Sequence, residues 1–427
     1  MRDVGVPHQE KELTMAADSF VIRRVRLFDG ETVTESTSVA VQGDTITYVG
    51  DEPALHGVKI VDGEGMTLLP GLIDGHAHAK PPALEQALVF GVTTEMDMGS
   101  VPTWMRAERK KAAERNDVAD VRSSSFGATV LGGHPSMLIG SFFDEQFPTV
   151  HTLEDVPTFI ADRVADGADY IKLLIDDGTA LGHPSPTLSP ELAAAIASEA
   201  HSHGLLAVAH VTTIEGASQA IRAGVDGLVH LFMDAPPTDE IIALIKDSGA
   251  FVVPTLSTLG SLAGDITGED LAKDPRVTGF LSPEWNENLC ECWHLGGPSR
   301  LDYALEATRR LHSAGVPVLL GTDAASLGIF GTAHGISVHG ELRLLVKAGF
   351  TPVEALRAAT SRVADAFGLA DRGRIREGLQ ADLLLVEGDP TDDIEHSLSI
   401  AGVWRRGERL DRARRFVVSA AEEAARG

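Results

Sequence analysis

Between about residues 69 and 370 the sequence repeats one pattern eight times, a short apolar run followed by an amphipathic stretch. The runs are LLPGLIDGHAH, GVTTEMDMG, VRSSSFGATV, ADYIKLLID, LLAVAHV, GLVHLF, AFVVPTL and VPVLLGTDA. Alternation of this kind is what parallel strands joined by helices require, and eight such strands close into a barrel. The connecting stretches behave as helices: SPELAAAIASEAHSHG carries apolar residues at helical spacing and ends in Gly, a C-cap signal. The pattern predicts an α/β fold with a (β/α)8 barrel over 69–370. Residues 255–300 lack a barrel element and read as an insertion, a candidate helical lid.

The two ends of the chain carry a different rhythm. FVIRRVRLFDG and STSVAVQGDTITYVGD alternate apolar and polar residues and break at Asp29-Gly30 and Gly43-Asp44, as hairpins do. ADLLLVEGDP and SIAGVWRRGERL, near the other end, read as strands with turns. Strands at both ends and helices between them predict one small β-sandwich, built from 19–68 together with 371–412. Residues 1–18 read as a loose leader, with Met15 an alternative start, and 413–427 as a tail.

Composition narrows the partners. The formal net charge is −26 and is spread along the chain. Such a charge repels nucleic acid and anionic lipid, so neither is expected as a partner. Two cysteines, Cys290 and Cys292, cannot build a disulfide framework, so a reducing interior is permitted. No 18-residue uncharged apolar stretch occurs, and the first residues lack the apolar region of a secretory signal. The expected address is the cytoplasm and the expected partner a small-molecule substrate. Homo-oligomer formation is left open.

The chemistry is concentrated at the strand ends. In such a barrel the residues closing each strand face the catalytic mouth. His76 and His78 close the first run; one residue apart, they share a face. Lys172 lies in the fourth run, His210 closes the fifth and His230 the sixth, and Asp323 follows Gly321-Thr322 in the eighth. Any one of these has a bland explanation, a structural histidine or an N-capping aspartate. Six together at matching strand ends point to a metal centre. Lys172 alone could equally pair with a carboxylate such as Asp176.

These residues resemble the amidohydrolase superfamily of metal-dependent hydrolases, whose fold is a distorted TIM barrel with a small β-sandwich. The resemblance rests on PGLIDGHAH (70–78), the lysine, the two later histidines and GTDA (321–324). ELRLLVKAGFTPVEALRAATSRVADAFGL (341–369) and GRIREGLQADLLLVEGDP (373–390) extend it. It implies two divalent cations, with Zn²⁺ expected from the donor types. His76, His78 and Asp323 would hold the more buried ion, His210 and His230 the outer one. A CO2-derived carbamate on Lys172 would bridge them. The implied reaction is hydrolysis of an amide bond by a metal-bridging hydroxide, with Asp323 as general acid and base. Lactone, carbamate or organophosphate ester hydrolysis uses the same centre. A deaminase is less consistent with the lysine, and a non-catalytic scaffold with a complete ligand set.

Other residues carry weaker signals. His134, in GGHPSM, is expected to contact the substrate carbonyl, although the family's loop is closer to GGHG. His183 is a candidate for lining the mouth. Tyr170, two residues before Lys172 and deeper on the same face, is either a substrate contact or core packing. Asp176 and Asp177 replace the small residues expected of a dipeptidase. Cys290, Cys292 and His294 form a C-x-C-x-H cluster that reads as loop packing, and His334 and His339 have no assigned role.

Overall fold

A computed structural model describes residues 19–51, 57–136, 147–293 and 295–413. The leader, His294 and all but the first residue of the tail lie outside these residues. The chain opens with strands β1 (Ser19–Phe28), β2 (Val33–Gln42), β3 (Thr45–Gly50), β4 (Lys59–Asp62) and β5 (Met66–Pro70). β1 to β3 form an antiparallel meander, and β1 also pairs in parallel with β4 and β5.

The barrel follows, with β6 (Leu72–Ala77), β7 (Val92–Asp97), β8 (Asp120–Ser123), β9 (Tyr170–Leu174), β10 (Leu206–His210), β11 (Gly227–Val229) and β12 (Phe251–Val253). β6 to β8 form one parallel ladder and β9 to β12 another. The chain then returns through β13 (Leu383–Glu387), β14 (Ile400–Arg405) and β15 (Glu408–Arg409). These continue the terminal sheet in the order β15-β14-β13-β5-β1-β2-β3. The architecture is the expected barrel plus a β-sandwich made by both ends.

Two of the eight runs are not full strands. The third stops at Ser123, because Ser125 takes a left-handed backbone (φ 58°) that no ladder accommodates. Ala128 resumes contact through a bridge to Leu173. The eighth run is held by bridges alone, Val318 to Val252 and Ala324 to Ala77, and these close the barrel. The 255–300 segment contains helices Leu256–Ala263, Glu269–Ala272 and Pro283–Leu289. Six residues of the first are buried against helices Leu301–Ser313 and Ile336–Lys347, so this part is barrel wall rather than lid.

Strand parity sorts the core. In β13, Leu383 and Leu385 face the sandwich core with Ile22, Val39 and Trp404, whereas Leu384 and Val386 face the barrel's outer layer. A strand buried on both faces needs the unbroken apolar run that the sequence carries there. Inside the barrel, Ile73, Met96, Tyr170, Val208, Val229, Phe251, Val253 and Leu319 make an apolar floor. No helix among the described residues is long and apolar enough to cross a membrane.

His339 ties the two parts together. Its Nε2 lies 2.9 Å from the Phe90 carbonyl and its Nδ1 3.0 Å from Ser397 Oγ. Burial holds its pKa down at about 4. The unfolded chain takes up a proton near 6.5 that the folded chain refuses, so stability is lost as pH falls from about 6.5 towards about 4. Unfolding in urea across this range should show the parent losing up to about 3 kcal/mol more than His339→Gln. Parallel pH profiles for the two proteins would contradict this.

Candidate metal centre

Above the apolar floor the inward positions turn polar. Two residues beyond Tyr170 comes Lys172, beyond Val208 comes His210, and beyond Val253 comes Thr255. Period-two alternation puts these side chains over the floor. Three histidines, His76, His78 and His230, are off that parity and need local distortions. β6 carries a register shift between Asp74 and Ala77, with one more residue than β7 opposite it, which re-phases the strand after Ile73. His230 follows the inward Val229 directly, and its left-handed backbone (φ 69°) redirects its side chain. Asp323 is also left-handed (φ 59°). Strain of this kind costs about 1–3 kcal/mol per residue and persists only where surrounding contacts enforce it.

The distortions bring the groups together. Asp323 Oδ1 lies 3.1 Å from Nε2 of both His76 and His78. The rings of His76 and His230 are 4.5 Å apart between centroids, as are those of His210 and His230. Donor atoms of His76, His230 and Asp323 all lie within 4.8 Å of one another, a spacing that could hold a metal ion. His76 is fully buried, and neither of its ring nitrogens has a hydrogen-bond partner among the described residues. Its approach to Asp323 is close but badly angled for a hydrogen bond. A buried imidazole whose acceptor nitrogen is unpartnered beside a carboxylate is expensive unless a cation takes its lone pair, so the donor set fits a divalent ion.

Outer contacts select which nitrogen each ring presents. His78 Nδ1 lies 3.0 Å from the Gly99 carbonyl and His230 Nδ1 2.6 Å from Thr255 Oγ1, leaving both Nε2 atoms for a ligand. His210 is reversed: its Nε2 lies 3.1 Å from Asp176 Oδ2, which leaves Nδ1. Asp176 is held in turn by Thr212 Oγ1 (2.9 Å) and the Gly178 amide (2.9 Å). Such outer carboxylates and hydroxyls fix ring orientation in metal sites.

Electrostatics prepares the same state. Burial, aided by Lys172, pulls His76 down to about 3; burial with His210 and His76 pulls His230 well below its usual value. Burial would raise Asp323, but His76 and His230 outweigh it and hold the carboxyl well below the ordinary range. For His78 burial opposes charge, yet contact with Asp323 wins and raises it. Lys172 is 2% exposed, and burial pulls its amine down to about 7 against the opposing pull of Asp323 and Asp97.

Of the remaining candidates, His134 stacks on His210 with centroids 4.8 Å apart, and burial lowers it to about 3. Tyr170 belongs to the floor rather than to a substrate surface. Its hydroxyl donates to the Asp97 carbonyl (2.8 Å) and its ring packs on Phe367, leaving no group free for a ligand. His183 is exposed on the loop after β9, held by its amide to the Gly178 carbonyl, and among the described residues no hydrogen bond joins its side chain to the centre. Asp176 does not pair with Lys172, because His210, Thr212 and Gly178 occupy it. Cys290 and Cys292 are free thiols.

Sequence reading missed the supports. Thr255 could have been found from its inward parity after Val253. Asp74 had no such signal. Its Oδ1 accepts from the amides of His76 (3.1 Å) and Thr322 (3.0 Å), and its Oδ2 from Thr322 Oγ1 (2.6 Å), lacing the first strand to the last. Gly321 lies in the same seam. A Cβ there would sit 2.8 Å from His76 Cβ and 2.4 Å from Val253 Cγ1. Gly321→Ala should therefore displace His76 and lower bound metal by at least about tenfold in affinity. Metal analysis after dialysis checks this, and a parental metal content would contradict it.

Comparisons with known proteins agree with this geometry. Residues 67–410 match the Amidohydrolase family. Ochratoxinase of Aspergillus niger is 28% identical over 265 residues, 60% of this chain and 49% of that protein. The chain thus spans about half the length of that relative. Imidazolonepropionase of Deinococcus radiodurans is 25% identical over 422 residues, covering 88% of this chain and 93% of that one. The crystal structure of a Xaa-Pro dipeptidase with methionine in its active site superposes with a TM-score of 0.72 at 23% identity, covering 92% and 99% of the two chains. A barrel with a terminal sandwich, a His/His/Asp group at its strand ends and a family match over most of the chain lead to one conclusion: the protein belongs to the amidohydrolase family of metal-dependent hydrolases.

Proposed function

We propose that the protein hydrolyses an amide bond in a small molecule of N-acyl amino acid or dipeptide type, using two divalent cations, with zinc the ion the donors suit. The observation that carries this reading is the fully buried, hydrogen-bond-free ring of His76 beside Asp323 and His230. His76, His78 and Asp323 would hold the deeper ion, and His210 and His230 the outer one. Bound there, the cations would supply Lewis acidity to a carbonyl and acidify water.

Lys172, as a carbamate, would be a further ligand for the ions. Among the described residues its amine makes no hydrogen bond or ion pair, and burial holds it at about 7. A large neutral fraction near neutral pH is what the addition needs: the free amine attacks CO2, a C–N bond forms, and one proton is released. The product is an anion with two oxygen donors, which suits the space between cations better than an ammonium.

Asp323 serves as general base and acid. Held ionised beside His76 and His78, it accepts a proton from the attacking water and delivers it to the leaving nitrogen. His134, kept neutral by burial and stacked on the ring of His210, would donate to the scissile carbonyl. The name of one similar protein, a Xaa-Pro dipeptidase, supports a peptide-like amide. The Asp176 carboxylate is engaged by His210, Thr212 and the Gly178 amide, so it is not free to face a peptide-like substrate.

The test is Asp323→Asn. Turnover of the best substrate from an N-acyl amino acid and dipeptide panel should fall by about 10²–10⁴-fold. At least one equivalent of metal should remain, held by the histidines. Near-parental turnover would refute the assignment, and lactones outperforming every amide in the panel would move the chemistry to another bond.

A further inference from the structure

Thr255 occupies the N-cap of helix Leu256–Ala263, where a threonine normally keeps an extended backbone and turns its hydroxyl onto an amide of the first turn. Three other threonines among the described residues do so. Thr213 Oγ1 accepts from the Gly216 amide at 3.0 Å, Thr238 Oγ1 from the Ile241 amide at 3.3 Å and Thr351 Oγ1 from the Glu354 amide at 3.3 Å. Thr255 departs from all three. Its backbone is left-handed (φ 50°, ψ 50°), an unfavourable conformation for a β-branched residue, and its hydroxyl makes no cap bond. That hydroxyl lies 2.6 Å from His230 Nδ1 instead.

The amides that Thr255 leaves are taken from elsewhere. Glu341, on helix Ile336–Lys347, is fully buried and accepts from the amides of Leu256 (2.7 Å) and Ser257 (2.8 Å) and from Ser257 Oγ (2.7 Å). A carboxylate at the positive end of a helix is favourable and satisfies two of its orphan donors. The same helical turn reaches the other ligand-bearing strand end, because Thr258 Oγ1 donates to the Thr322 carbonyl at 2.9 Å, one residue before Asp323.

We infer that Glu341 is a positioning residue for the metal centre: it caps helix Leu256–Ala263 in place of Thr255, which frees the Thr255 hydroxyl to fix the ring of His230. The inference rests on the reading of His230 as a metal ligand. Glu341 does not touch that histidine and acts only through the helix end and Thr255. A purely structural Glu341 would stabilise the helix without affecting how tightly the centre holds its ion.

Zinc affinity, measured by competition with a chromophoric chelator, separates the two roles when read beside Tm. The proteins are the parent, Thr255→Val, Thr255→Ser, Glu341→Gln and the Thr255→Val/Glu341→Gln double variant. Thr255→Val and Glu341→Gln should each weaken zinc binding about tenfold or more, and Thr255→Ser, which keeps the hydroxyl, should stay near the parent. The double variant should bind no more weakly than Thr255→Val alone, since both changes break one relay. A Glu341→Gln protein with lowered Tm but zinc affinity within about twofold of the parent overturns the inference. So does multiplication of the two single effects in the double variant. If Glu341→Gln does not fold, the Thr255 pair decides, and parental zinc affinity in Thr255→Val overturns it. A parent protein that binds no zinc refutes the ligand reading of His230 itself, and the inference with it.

Discussion

Polar groups packed over an apolar floor must find partners, and the top of this barrel is organised around that requirement. His76, His230, Lys172 and Asp323 sit on a layer built from Tyr170, Val208, Val229 and Val253, with little water to solvate them. Dehydration sets their charge states. It keeps His76 and His230 neutral and brings the Lys172 amine towards neutrality, while the histidines keep Asp323 ionised. Neutral imidazole and ionised carboxylate are the forms that coordinate a cation. The same burial that makes the group unfavourable alone therefore makes it receptive to metal.

That layer depends on the seam where the first and last barrel strands meet. The eighth run forms no ladder of its own, so closure relies on isolated bridges, on close backbone contact at Gly75 and Gly321, and on Asp74. Gly75 donates its amide to the Leu320 carbonyl at 2.9 Å, and a Cβ at Gly75 would lie 2.5 Å from that oxygen. Only glycine permits such an approach. The seam carries His76 on one side and Asp323 on the other, so barrel closure and ligand placement are one event.

The sequence made much of this legible, for physical reasons that also mark where it stopped. Lys172 and His210 follow inward apolar residues by two positions, so strand periodicity alone aims them. The barrel rhythm was readable because strands buried on both faces are continuous apolar runs. His230 is off parity and reaches the centre only through a left-handed backbone, which no periodicity encodes. The third and eighth runs looked like strands because apolar content does not report a broken ladder. Tyr170 shares the face of Lys172 yet lies one layer down, a difference of depth that a face assignment cannot express. Asp74, Asp176 and Thr255 act through hydrogen bonds between segments distant in sequence, so their roles emerged only with the fold.

Anomalous diffraction at the zinc absorption edge, on crystals grown with zinc, tests the central claim most directly. The account predicts two peaks, one against His76, His78 and Asp323 and one against His210 and His230, with density extending beyond Lys172 Nζ between them. An absence of peaks at these side chains, or a bare Lys172 amine beside a single ion, would contradict it.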